Sequence, residues 1–168
     1  PSIQELRGLE LMKYLAHLTQ NMQQHRGLSA GVIGGKKDMA NNLKTSEQAI
    51  EKGLDHLNSV LGTELNQDKN WQQVRSEWQA IQTSGLQWAG PENFKRHTQM
   101  INTLHIFSVQ VADTTALTLD PDLNTYYLML SIVQDTPELI EKLGRVRGIG
   151  TRFLAAGSIP EGQRYELP

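Results

Sequence analysis

Apolar residues recur at every third or fourth position along nearly the whole chain, which is the spacing of helices that bury one face. No segment alternates apolar and polar residues at period two, and the Asn-Gly and Asp-Gly pairs of tight hairpins are absent from the sequence. The pattern therefore predicts an all-α chain with almost no strand. On the first helix the repeating residues are Leu15, Leu18, Met22, His25 and Ser29.

Glycines and prolines mark where the predicted helices begin and end. Gly34-Gly35 stops the first helix, and an Asp or Thr before a proline starts later ones near 121 and 137. The prediction is an antiparallel bundle of about four long helices, with the last helical region broken near Pro137. The predicted helical segments are about 2–33, 39–61, 71–88, 94–117, 121–134 and 137–156.

Composition limits the classes of protein that this bundle can be. With 168 residues, 38% hydrophobic and 20% charged, the chain is long and apolar enough for one packed domain. The net charge is −2 and the basic residues are scattered, which argues against a nucleic-acid partner. There is no cysteine for a disulfide or a thiolate metal site, and no run of 18 apolar residues.

The motifs of common catalytic and cofactor sites are absent from the sequence. There is no GxSxG, HExxH, P-loop or GxGxxG, and the glycines of AGVIGGKK follow a helix rather than a strand. The five histidines lack the Glu-x-x-His pattern of di-metal bundles. We therefore expect that the chain is not an enzyme and holds neither a metal nor a cofactor.

Two arginines lie in register with apolar residues of their helices. Arg26 is four residues after Met22, and Arg147 is four residues after Leu143, whereas Arg145 can pair with Glu141 at i,i+4 on the outer face. Turning an arginine toward a core costs several kcal/mol unless acceptors or an opposite charge meet it. Both arginines therefore need an explanation.

Three explanations remain open at this point. An internal salt bridge would use Glu47 or Asp113, and a snorkelling arginine would keep its head group in water at the edge of the bundle. In the third, the two guanidinium groups bind a small planar or carboxylate-like anion. Gly27 and Gly148 follow the arginines directly, so a helix or ligand can approach closely.

Aromatic residues offer further candidates for the site or for a dimer. Tyr126 and Tyr127 are adjacent, so one is expected to pack inward while the other offers a hydroxyl to a pocket or partner. Trp71, Trp78 and Trp88 lie at the spacing of a bundle seam, which fits either the core or a self-pairing surface.

Three stretches carry a resemblance to a known family. QQHRGLSAG at 23–31, LDPDLNTYYLM at 119–129 and TPELIEKLGRVRGIG at 136–150 resemble the extracytoplasmic helical sensor domains of bacterial transmembrane receptors, which include chemoreceptors and sensor histidine kinases. They are most similar to nitrate- and nitrite-sensing domains, which carry an R-G-x-S element on the first helix. The resemblance implies an anion held by inter-helix arginines.

The resemblance and the residues together give one functional hypothesis. Residues 1–168 are predicted to form a single helical sensor domain, a fragment of a longer membrane receptor on the periplasmic side, tethered only through segments outside this chain. It binds nitrate, nitrite or a carboxylate-like anion and passes a helix shift to a cytoplasmic output domain, as a homodimer. The predicted ligand residues are Arg26, Gly27, Ser29, Tyr126, Arg147 and Gly148. The alternative is a non-sensing dimerisation or scaffold module built on the tryptophan seam.

Overall fold

The computed structural model describes residues 2–117 and 123–159. For residues 123–126, 155 and 156 it describes the backbone but not the side chains. The described part of the chain is helical and contains no strand, which confirms the predicted all-α class. The helices are α1 (Ile3–Ile33), α2 (Ala40–Val60), α3 (Thr63–Asn66), α4 (Lys69–Ser84), α5 (Gly90–Thr114), α6 (Leu123–Leu130) and α7 (Thr136–Ala156).

Helix α1 begins and ends where local chemistry requires. The Ser2 hydroxyl accepts from the Glu5 amide while the Glu5 carboxylate accepts from the Ser2 amide, so a capping box satisfies two free N–H groups. At the other end the Gly34 amide donates to the Ala30 carbonyl, and Gly35 adopts a φ of +102° that favours glycine. The predicted span of about 2–33 is confirmed.

Four helices, α1, α2, α4 and α5, form the antiparallel core of the bundle. Three contacts join the start of one helix to the end of a neighbouring helix and show that the pairs are antiparallel: Arg7 of α1 to the Leu61 carbonyl after α2, Asn93 of α5 to Ser29 of α1, and Asn93 to the Gly85 carbonyl after α4. Gly62, with a φ of +81°, turns the chain after α2, and the Asp68 carboxylate caps α4.

Helix α7 packs on the outside of this core, against α1 and α5, and Met129 of α6 joins a small apolar cluster with Ala112 of α5. Helix α7 runs parallel to α1, because Glu141 contacts Arg26 and Thr151 lies beside Gly31 further along both helices. The predicted break near Pro137 takes the form of a π-helical segment, Ser131–Asp135, between α6 and α7. Such segments interrupt the regular ladder and allow a helix to change direction.

The core is divided along α1 into an apolar stretch and a polar stretch. From Leu11 to Met22 the buried side chains of α1 join one apolar cluster with α2, α4 and α5. Trp71 and Trp78 are 0% and 2% exposed within this cluster. The idea of a tryptophan seam that pairs with a second copy is therefore wrong, because one chain already buries those two rings.

None of the helices that the structure describes is both long enough and apolar enough to span a bilayer.

Candidate functional site

The last third of α1 buries a row of polar side chains where an apolar row is usual. Gln23, His25, Arg26 and Ser29 are each 5% exposed or less. Each has a side-chain partner on another helix: Glu141 of α7 for Gln23 and Arg26, His97 of α5 for His25, and Asn93 of α5 for Ser29. Buried polar groups must be paired to be tolerated, so this row fixes α5 and α7 against α1.

Arg26 lies at the centre of this row and is 0% exposed. Its Nη1 and Nη2 donate to the two carboxylate oxygens of Glu141 at 2.6 and 3.2 Å, which is the forked geometry of a strong ion pair. Nη1 also donates to the Thr98 hydroxyl at 2.9 Å, and the guanidinium carbon lies 5.0 Å from the centre of the Phe94 ring. The Nε atom is buried without a hydrogen-bond partner.

The ion pair corrects the predicted partners of Arg26. Neither Glu47 nor Asp113 pairs with it, and Glu141, expected to pair with Arg145 on the outer face, turns to Arg26 instead. An internal salt bridge was the right kind of explanation with the wrong acid. Glu141 lies on the face of α7 that packs against α1, and this is why it pairs with Arg26.

Helix α7 packs through its small residues and leaves its apolar stripe outside. Gly144 lies against Arg26, since a Cβ built there would be 3.2 Å from Nη2, and Gly148 faces Phe94. By contrast Leu143 is 61% exposed, and Arg147 shares that exposed side. The prediction that Arg147 points into the core is therefore wrong, because glycines allow a closer helix contact than the leucine stripe does.

The remaining predicted ligand residues are placed as follows. Gly148 is buried, and a Cβ there would lie 2.5 Å from Phe94 Cε2, so the expected close approach is confirmed. A Cβ at Gly27 would meet nothing within 4 Å, so close helix packing at Gly27 is wrong. The Ser29 hydroxyl donates to Asn93 Oδ1 at 3.1 Å. The side chain of Tyr126 lies outside the described residues.

Substituting Gly148 by alanine is expected to destabilise the protein by about 1–3 kcal/mol, because the added methyl group forces the Phe94 ring aside. Gly150 on the same helix is the matched control, since a Cβ there meets nothing within 4 Å and Gly150→Ala is expected to gain about 0.5–1 kcal/mol. Urea unfolding of the two variants measures both effects. Equal stabilities would contradict the proposed glycine contact.

A second polar contact, next to Arg26, joins two buried histidines. His97 Nδ1 lies 2.8 Å from the Asn93 carbonyl, which can only accept, so Nδ1 carries the proton. His97 Nε2 then accepts from His25 Nδ1, again at 2.8 Å. Burial lowers the pKa of His25 to about 3 and that of His97 to about 4, so both rings are neutral at pH 7.

Glu47 of α2 stands at the open end of this histidine pair. Its Oε1 is 3.6 Å from His25 Nε2, a buried nitrogen without a hydrogen-bond partner. Burial also raises the pKa of the Glu47 carboxyl. The carboxyl group that faces His25 is therefore itself disfavoured as an anion, which fits a neutral histidine pair.

A cavity of about 940 Å³ lies between α1, α5, the π-helical segment Ser131–Asp135 and α7, beside the ion pair. Its floor is apolar, with Met12, Ile101 and Val133 among the lining residues. Gln23, Glu141, Gly144, Arg145 and Arg147 line it as well. The acid that holds Arg26 and the exposed Arg147 therefore border the same space.

A family model described as nitrate and nitrite sensing matches residues 17–167 of the chain. The chain belongs to the nitrate and nitrite sensing family. No curated protein and no solved structure matches it significantly.

Family membership makes this nitrate and nitrite sensing chain a ligand-sensing, signalling domain of a kind found on the extracytoplasmic side of membrane receptors. The match includes every polar residue of the row on α1 as well as Glu141 and Arg147. Among the described residues, no group of three or more His, Asp or Glu side chains is arranged to hold a metal ion.

Sequence reasoning missed several residues of this nitrate and nitrite sensing domain. Gln23 lies in the stretch QQHRGLSAG but was not predicted as a site residue, and Asn93 and Thr98 lie in no motif. Glu141 did carry one, since its spacing to Gly144 and Gly148 places all three on one face of α7. A stripe of small residues ending at an acid is the pattern that would have identified the partner of Arg26.

Proposed function

We propose that this domain is the periplasmic sensor of a transmembrane receptor and that it binds nitrate or nitrite at Arg26, between α1 and α7. The observation that carries the proposal is the arginine itself: it is wholly buried, and its fork already holds a planar carboxylate. Nitrate and nitrite likewise offer two coplanar oxygens to a guanidinium. The family match supports this class of anion.

Arg147 provides the second positive charge in this proposal. It lines the same cavity as Glu141 and is exposed, so it can meet an anion that enters from solvent. An exposed arginine adds attraction at long range and a second set of donors at short range. Ser29 and Gly148 act indirectly in this proposal, Ser29 through the contact of α1 with α5 and Gly148 through the contact of α7 with α5. Gly27 makes no such contact and leaves room beside Arg26.

Transmission follows from the position of the site between helices. An anion at Arg26 changes what joins α1 to α7, and packed helices respond by small shifts between discrete arrangements. We propose that this shift reaches a cytoplasmic output domain, of chemoreceptor or histidine-kinase type, through segments outside this chain. The homodimer stays a prediction.

Nitrate or nitrite at 100 times its dissociation constant is expected to stabilise the domain by about 2.7 kcal/mol, or roughly 5–10 °C in Tm. Thermal unfolding with nitrate, nitrite and chloride at equal ionic strength measures this, with chloride as the control for screening. Equal Tm values in all three salts would contradict the proposal.

Arg147→Ala is the variant that separates the second positive charge from the fold. Because Arg147 is exposed, its loss should leave stability unchanged while it lowers nitrate affinity about tenfold, the equivalent of about 1.4 kcal/mol. Arg152→Ala is the matched control on the same helix and should leave affinity unchanged. An unchanged affinity in Arg147→Ala removes Arg147 from the proposed site.

A further inference from the structure

We infer that Glu141 is a built-in competitor of the anion: nitrate or nitrite binds Arg26 by displacing the Glu141 carboxylate, and this displacement releases α7 from α1. The inference rests on the proposed function and adds its switching step. It starts from geometry, because both oxygens of Glu141 already occupy the two donors that a planar anion would use.

Arg26 cannot accommodate the carboxylate and an anion on the same edge. Nη1 already donates a hydrogen bond to the Thr98 hydroxyl, Gly144 lies close to Nη2, and the Phe94 ring covers the guanidinium face. Two anions at one fork would also repel each other strongly in a site that is 0% exposed. Glu141 must therefore leave when a ligand binds at that edge.

A displaced Glu141 side chain can move into the cavity and pair with another arginine. Its side chain is 13% exposed, in contrast to Arg26, and it lines the cavity. Arg145 lies one turn later on α7, exposed and on the same cavity wall, at the i,i+4 spacing of a helical ion pair. The pairing that the sequence suggests and the pairing that the structure contains are thus two alternative states of one carboxylate.

When Glu141 leaves Arg26, the first part of α7 loses contacts with α1, whereas the later part keeps its contacts. Glu141 also accepts from Gln23 at 3.0 Å, so displacement breaks two links between α1 and α7 at this level. Further along, Gly148 stays packed against Phe94. The freed half of α7 follows directly after the π-helical segment Ser131–Asp135, where an irregular ladder can absorb a change of direction.

The first test is nitrate binding to Glu141→Gln, measured by titration calorimetry. The amide keeps an acceptor for Arg26 and removes the competing charge, so the Kd should fall at least tenfold. Glu138→Gln, one turn earlier and paired with Lys142 in solvent, is the matched control and should leave the Kd unchanged. An unchanged or higher Kd in Glu141→Gln overturns the inference.

The second test does not depend on the stability of that variant. The chain has no cysteine, so spin labels can be placed cleanly on cysteines introduced at Gln24 of α1 and Lys142 of α7. Nitrate should change the distance between them, whereas labels at Gln24 and Lys52 of α2 should keep theirs. A constant distance from α1 to α7 in nitrate-bound protein overturns the inference. If the wild-type domain binds neither anion, the proposed function fails instead.

Discussion

Replacement of Arg26 by methionine is expected to lower the free energy of unfolding by about 3–5 kcal/mol and to abolish the response to nitrate. Methionine keeps part of the apolar stem but leaves the Glu141 carboxylate, only 13% exposed, facing an apolar group. The Thr98 hydroxyl and Gln23 lose their arrangement around the pair as well. Chemical unfolding with and without nitrate measures both losses.

Two further variants separate stability from ligand binding. Arg26→Met with Glu141→Leu removes both charges, and it should recover most of the lost stability while nitrate still has no effect. Arg96→Met is the matched control. Arg96 forms an equally short pair with Glu77 but is 29% exposed, so its loss should cost about 1–2 kcal/mol and leave nitrate binding intact. A double variant that stays as unstable as Arg26→Met would contradict this account of the pair.

Acid is expected to destabilise the domain through the two buried histidines. The folded pKa values of His25, about 3, and His97, about 4, lie below the unfolded value of 6.5, so the unfolded chain binds more protons. Stability should therefore fall as the pH drops below about 6.5, and by pH 5 each histidine costs about 2 kcal/mol. Unfolding free energies measured between pH 7 and pH 5 test this.

Other charged groups around the histidines modify this effect without reversing it. Arg26 on α1 and Glu77 on α4 act on His97 in opposite directions. Glu47 on α2 faces His25, and its pKa is raised in the folded protein. Because the folded state therefore favours protonated Glu47, protonation of Glu47 in acid offsets part of the stability lost through the histidines. His25→Gln should remove about half of the pH dependence. A full pH dependence in His25→Gln would show that other groups cause it.

The fold was predictable because its local signals agree with its packing. The spacing of apolar residues, the Gly34-Gly35 stop and the prolines in the first turns of α5 and α7 each act within one helix, so the sequence contains them directly. What the sequence could not provide is the arrangement of the last helix. Its most apolar stripe, which includes Leu139 and Leu143, stays exposed, while a glycine face makes the contact.

The site was predictable only in part, for the same reason. Arg26 was found because an arginine in an apolar register is unusual wherever the neighbouring helices lie. Its partner depends on which face of α7 approaches, and Glu141 is compatible with either Arg145 or Arg26 by local geometry. Arg147 was misplaced because the prediction took the leucine stripe as the packed face.

The division of α1 into an apolar and a polar stretch has a consequence for how the molecule opens. Leu11 to Met22 are held by apolar contacts, whereas Arg26 is held by an ion pair and His25 by a hydrogen bond between two neutral rings. Backbone hydrogen exchange along α1 should therefore be slower from Leu11 to Met22 than around His25 and Arg26. The region that meets the ligand is then also the one that can rearrange while the rest of the chain stays folded.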